Sequence, residues 1–307
     1  MTMSKPIHFI GLDEPILCDL AIALQQQGYA VTGSAEAVSE SMASTLTQAR
    51  LLPKELGWFP HKLTKNMGQV IIGRQVQAAN SELQAALQLG LKVYSYPQYI
   101  YEYAQHKQRV VITGGLETLY VGAIAMHVLR YWHDAFDYIL DKPMPGWNTM
   151  ARLSEAPIIL LQADGLPGSC LDPMPQFSTY QHNILLISGI SEERGHRYAT
   201  INEYLAQLQA LAAASPKGGT LIYHGEIELL QSIGSKPRPD VKTYAYQALS
   251  YWYQGDQAYL STPQGKIPVL AADPISLHAI PGAQLLLGQL GITQEQFYEA
   301  IPSFSMD

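Results

Sequence analysis

The residues best placed to do chemistry lie in one stretch, Arg109 to Arg130. Val110, Val111 and Ile112 make a short buried-strand signal. Gly114 and Gly115 follow, and then an apolar helical segment through Ala123, Ile124, Met126 and Leu129. Strand, glycine turn and helix is the layout that cradles phosphate. Backbone N–H groups and the helix N-terminus face the anion, and a lysine neutralises it. Here that lysine is missing, and Glu117 stands in the middle of the loop. A second group, Ser191-Glu-Glu-Arg-Gly-His196, mixes acid, base and cation. Glu192, Glu193, Arg194 and His196, with Asp164, are the candidates for any replacement chemistry, and a solvated loop is the simpler account of them. The nine histidines show no metal-ligand spacing. No nucleophile elbow or Cys–His pairing signal is present. No metal site and no resident cofactor are expected.

Such a loop needs a sheet to hold it. The chain has 307 residues, enough for about two domains. Only 15% of residues are charged, against roughly 25% in ordinary soluble domains, so the surface is expected to be largely neutral and polar. The net charge of -7 disfavours nucleic acid and anionic membranes as partners. No apolar run approaches the roughly 20 residues of a membrane span, and the N-terminus reads directly into a strand without a leader. Cys18 and Cys170 read as buried, reduced thiols, and the location implied is cytoplasmic.

Residues 7–12 and 29–34 read as strands flanking a helix with Leu17, Leu20, Ala21 and Leu24 at helical spacing. Partial helix is expected over 43–56, further strands at 69–73 and 92–96, and a helix between those. The tyrosines from Tyr94 to Tyr103 fit packing at a junction better than a stacking platform for bases. We place a boundary near Lys107: 1–107 is a Rossmann-like α/β domain and 108–307 a phosphate-loop domain. Apolar strands are expected at 157–162, 183–188 and 219–224, with helices around 204–211 and 226–233. Alternation and turns over 241–270 predict a small antiparallel subsheet, and two short helices near 282–290 and 294–301 close the chain.

The order of these segments resembles one family, the Mur ligases, nearest to the UDP-N-acetylmuramate–L-alanine ligase and murein peptide ligase branch. Gly28-Tyr-Ala-Val-Thr-Gly-Ser34, Gly90-Leu-Lys-Val-Tyr-Ser-Tyr-Pro97, Gly146-Trp-Asn-Thr-Met-Ala-Arg-Leu153 and Leu171-Asp-Pro-Met-Pro-Gln-Phe177 are similar to family segments in the family's order. The resemblance implies an N-terminal Rossmann-like domain of UDP-binding type and a central ATPase-type domain carrying a small antiparallel β-subsheet. It also implies ATP and magnesium as the family's cofactors. The family's third, C-terminal ligase domain is expected to be absent.

Carried over residue by residue, the family's working positions are substituted. Asp13 and Glu14 stand where glycines would pass under the UDP phosphates, beside Gly33 and Ser34 of the same vestigial site. In the phosphate loop Gly114 and Gly115 remain, and the lysine falls on Thr118. The magnesium-binding glutamate falls on Gln162, and Asp164 survives. The base-orienting His and Asn fall on Arg194 and His196. The expectation is a degenerate, non-catalytic homologue linked to peptidoglycan metabolism, acting as a binding, regulatory or scaffold protein. It would self-associate or join a cell-wall enzyme. The alternatives are a nucleotide or muropeptide sensor, and an ATP-dependent UDP-N-acetylmuramate ligase with a site remodelled or completed in trans.

Overall fold

The computed structural model describes residues 6–190, 198, 200–236, 238–255, 257–270 and 273–306. Glu192, Glu193, Arg194 and His196 therefore lie outside the described residues. The first sheet is built from β1 (Ile7–Ile10), α1 (Pro15–Gln26), β2 (Val31–Ser34), α2 (Glu40–Gln48), β3 (Gln69–Ile72), α3 (Ser81–Gln88) and β4 (Lys92–Ser95). Its four strands are parallel in the order β2-β1-β3-β4. α1 starts on Pro15, whose fixed φ suits a first helical turn, and buries Leu17, Leu20, Ala21 and Leu24. α2 stops at Gln48, well short of the expected 43–56, because Arg50 turns to φ 58° and Pro53 follows. α4 (Tyr96–Tyr103) opens with a capping box between Ser95 and Gln98. Tyr94 and Tyr99 pack edge to face at 6.1 Å between centroids, so the tyrosine run is packing.

The second sheet begins with β5 (Gln108–Thr113), α5 (Glu117–Tyr131), β6 (Asp137–Ile139), β7 (Ala151–Arg152) and β8 (Ile158–Gln162). A hairpin, β9 (Pro167–Ser169) and β10 (Asp172–Pro175), leads into the short α6 (Gln176–Thr179). Then come β11 (Ile184–Ile187), α7 (Ile201–Ala213), β12 (Thr220–His224), α8 (Glu228–Gly234) and β13 (Lys242–Tyr246). The strand order is β13-β12-β11-β5-β8-β6-β7, and only β7 runs antiparallel. β11 is buried along its whole length, and β5 and β8 beyond their first residues, which is why all three read as continuous apolar runs. β5 sits at the centre, so the glycine turn after it opens at the carboxyl edge of the sheet, where open α/β sheets bind ligands.

Two expectations need correction. Residues 242–246 are not part of the antiparallel subsheet: β13 pairs in parallel with β12. The subsheet is β14 (Tyr251–Gln254), β15 (Gln257–Thr262) and β16 (Gly265–Val269). Cys170 is exposed at the β9–β10 turn, and only Cys18 is buried. The helix foreseen at 282–290 is α9 (Pro274–Gly288), started by the Asp273 cap and running on through Pro281. It packs along α5, and α10 (Gln294–Ala300) follows it. His127 of α5 spends its Nε2 on Ala300 O at 3.2 Å and Ser303 Oγ at 3.1 Å, so it is structural. No helix among the described residues is long and apolar enough to cross a membrane.

Candidate functional site

The turn after β5 is a tight glycine turn between a strand and a helix. Gly114 has φ 127°, and a Cβ there would lie 2.6 Å from Gly189 N and 2.7 Å from Gly189 O, so only glycine fits. The wiring beneath the loop is neutral. Thr118 and Ser188 share a hydrogen bond at 2.9 Å between their hydroxyls. Gln162 Nε2 donates to Thr118 O at 3.2 Å, and the Gln162 side chain packs against Gly122. Gln162 is buried, and among the described residues its Oε1 has no hydrogen-bond partner.

Glu117 is the first residue of α5, and its carboxylate folds back over the loop. Its Oε2 lies 2.6 Å from where a Cβ on Gly115 would stand and 2.9 Å from the same point on Gly189. A negative group at a helix N-terminus is favoured by the unpaired N–H groups and the helix dipole. The carboxylate thus lies against Gly115 and Gly189, close to the N-terminus of its own helix. The carboxylate also reaches its neighbours electrostatically. Burial pushes the Tyr246 hydroxyl up, and the Glu117 charge adds to it. Burial pushes His224 down; Glu226 and Glu117 raise it, His278 lowers it, and the net direction is downward.

A second carboxylate lies in a loop of the first sheet. Glu14 precedes α1 yet does not cap it. Its side chain turns to the loop after β3, where Arg74 N donates to Oε2 at 3.0 Å and Gln75 N to Oε1 at 2.7 Å. Gly73 lies against Oε1, so a Cβ there would displace the carboxylate from this position. Burial pushes the Glu14 carboxyl up; the two backbone N–H groups pull it back, Asp13 raises it and Arg74 lowers it, with a net upward direction. Asp13 is also raised, by burial first, against its own backbone hydrogen bond, with the charge of Glu36 adding to the rise.

Arg74, beside Glu14, reaches from the first sheet to the second. Its guanidinium grips Asp164 as a fork, Nη1 to Oδ2 and Nη2 to Oδ1, each at 3.0 Å. Nη2 also donates to Gln176 Oε1 at 2.7 Å, and Gln176 Nε2 donates to Tyr180 at 2.8 Å. Burial works against the charge of Arg74, but the neighbouring Tyr96, Asp164 and Tyr180 outweigh it and the net direction is upward. Asp164 thus has a cation from the loop after β3 bound to it. Further fastenings run beside it: Ser95 Oγ donates to Asp172 Oδ2 at 2.8 Å, and Met150 N to Asp19 Oδ2 at 2.7 Å. No group of three or more His, Cys, Asp or Glu among the described residues is arranged to hold a metal ion.

The structure brings Gly114, Gly115, Thr118 and Gln162 together at the loop after β5, and Glu14 and Asp164 together through Arg74. Gly33 and Ser34 lie beside the β1–α1 loop that leads into Asp13 and Glu14, where Gly11 N and Leu12 N donate to Ser34 O. Ser34 donates to Glu82 Oε2 on α3, and Gly33 packs against Leu12. Three working residues escape a sequence reading: Arg74, Gln176 and Glu82. The signal for Arg74 is slight, a lone cation directly after a strand in a chain with only 19 lysines and arginines.

No family model matches the chain. It is 22% identical over 222 residues to UDP-N-acetylmuramate--L-alanyl-gamma-D-glutamyl-meso-2,6-diaminoheptandioate ligase of Haemophilus influenzae, covering 71% of this chain and 48% of that protein. The chain spans about half the length of the curated relatives it matches. Among solved structures it superposes on UDP-N-acetylmuramate:L-alanyl-gamma-D-glutamyl-meso-diaminopimelate ligase from Neisseria meningitides with a TM-score of 0.84 at 19% identity, over 98% of each chain. UDP-N-acetylmuramate-alanine ligase from Thermotoga maritima gives 0.72 at 16% identity, over 97% of this chain and 68% of that one. At such identities the superpositions show the fold.

Proposed function

We propose, from the premise that the chain is a homologue of the Mur ligases and has their fold, that it serves peptidoglycan metabolism as a non-catalytic binding or regulatory protein. The observation that carries this reading is the Glu117 carboxylate lying over Gly115 and Gly189, where a phosphate would sit. A like charge at about 4 Å costs roughly 1 kcal/mol in water and about 4 kcal/mol near a protein surface. About 4 kcal/mol separates a micromolar ligand from a millimolar one. The loop has no lysine to offset that repulsion. Glu14 and Arg74 support the same reading at the first sheet, by filling the neighbouring cradle and engaging Asp164.

On this reading the protein works by association, with a second copy or with a cell-wall enzyme that supplies the chemistry. The exposed Leu116, Met174 and Leu270 give it apolar contact area. Isothermal titration with Mg-ATP and, separately, with UDP-N-acetylmuramate tests it. The expected result is no heat at micromolar ligand, and micromolar binding of either overturns the proposal. An ATP-dependent ligase is the second reading, favoured by the retained turn at Gly114 and by the ligases it superposes on. Phosphate release on mixing with a UDP-muramate acceptor and an amine would establish that reading instead.

A further inference from the structure

The first sheet ends at β2, which has β1 as its only neighbouring strand among the described residues. Ile7 N donates to Ala30 O, and Gly11 N and Leu12 N donate to Ser34 O, so residues 30, 32 and 34 face β1. Strand alternation then turns the N–H and C=O of Val31 and Gly33 outward. The next outward residue is Ala35, and there the chain already adds to the edge: Gly57 N donates to Ala35 O at 2.8 Å in an antiparallel bridge. Val31 and Gly33 are left facing a groove of about 310 Å³.

The floor of that groove is polar and its rim is positive. Glu82 accepts from Phe59 N at 2.6 Å and from Ser34 Oγ, and lies 3.5 Å from His8 Nε2. His8 Nδ1 meets Thr32 Oγ1 at 2.9 Å. On the facing wall stand Arg50, Lys54 and Lys62, with Glu55 paired to Lys62 at 3.2 Å. Three cations against one rim carboxylate is a local reversal in a chain of net charge -7.

We propose that this edge binds a short, extended peptide rich in carboxylates, laid down as an outer strand on β2. Its backbone pairs with Val31 and Gly33 as Gly57 pairs with Ala35, and its carboxylates meet Arg50 and Lys54. Main-chain pairing gives the affinity and the rim charges select the acidic sequence. The site is separate from the filled cradles and does not depend on whether they bind nucleotide.

The test is fluorescence anisotropy of the full chain with a rhodamine-labelled pentapeptide of alternating glutamate and valine. Saturable binding below millimolar is expected, weakened roughly tenfold or more by the double variant Arg50→Glu, Lys54→Glu. Both positions are exposed, and an unchanged melting temperature checks the fold. N-methylation of the central peptide amides should abolish binding with the protein untouched. The proposal is overturned if the acidic peptide does not bind, if the lysine–valine counterpart binds as well, or if N-methylation leaves the affinity intact.

Discussion

Glu14 and Glu117 are two carboxylates in two glycine-bearing loops, and they are held differently. Glu14 is buried and accepts two backbone N–H groups from the loop after β3, with Arg74 beside it. Glu117 is only partly buried and lies over its own loop at the start of α5. One carboxylate is tied into the loop that carries Arg74, the residue joining the two sheets, and the other rests on a turn that glycine geometry already shapes. Removing Glu14 or its partner should therefore disturb the fold, and removing Glu117 should mainly change what the loop can accept.

The largest effect expected is at the junction. Arg74→Ala leaves Asp164 and Glu14 without their cation. We expect a loss of about 3 kcal/mol, at the low end for a broken buried pair because the guanidinium side chain is partly exposed. Urea unfolding measures it, and a loss under ~1 kcal/mol would mean that the fork adds little to the joint. Next comes Gly114→Ala, where the added Cβ meets backbone at a φ reserved for glycine. About 2 kcal/mol should be lost in the same measurement.

Glu117→Ala should cost no more than roughly 1 kcal/mol of stability, the usual worth of a first-turn acid. It should bring Mg-ADP binding into the millimolar range by isothermal titration. If no binding appears, the absent lysine alone disables the loop and the two carboxylates are less alike than their geometry suggests. The smallest effect is the pH response of Glu14. Its folded pKa is raised above the unfolded value of 4.5. Its stabilising contribution is then fully present below pH 4.5 and is lost as the pH rises through the folded value. Glu14→Gln should flatten that part of the stability profile, as followed by thermal melts from pH 4.5 upward.

Much of this could be read from residue order. Apolar runs gave the central strands because a parallel sheet covered on both faces leaves no polar side to write into them. The glycine turn was legible because its residue type follows from its backbone angle. The two loop acids were visible as charges of the wrong sign, but their conformations were not, since a sequence does not say whether an acid repels a ligand or replaces it. Arg74 reaches a partner ninety residues away, and Thr118 meets Ser188 seventy residues on. Neither pairing leaves a local pattern. The edge strand misled at 242–246, where Thr243 to Tyr246 alternate in burial because one face of β13 looks outward. Alternation there reports position in the sheet and says nothing of strand direction.

The fastenings between the sheets lie at two ends of the first one. Arg74 and Ser95 follow β3 and close β4, at the carboxyl ends of their strands, whereas Gln27, just before β2, donates to Tyr103, whose hydroxyl donates to Ser154 O at 2.8 Å. A plate pinned along one side can swing, and a plate pinned along two opposite sides cannot. On the proposed reading, a first sheet tied to the second at both of its ends suits a protein that presents a fixed surface to a partner.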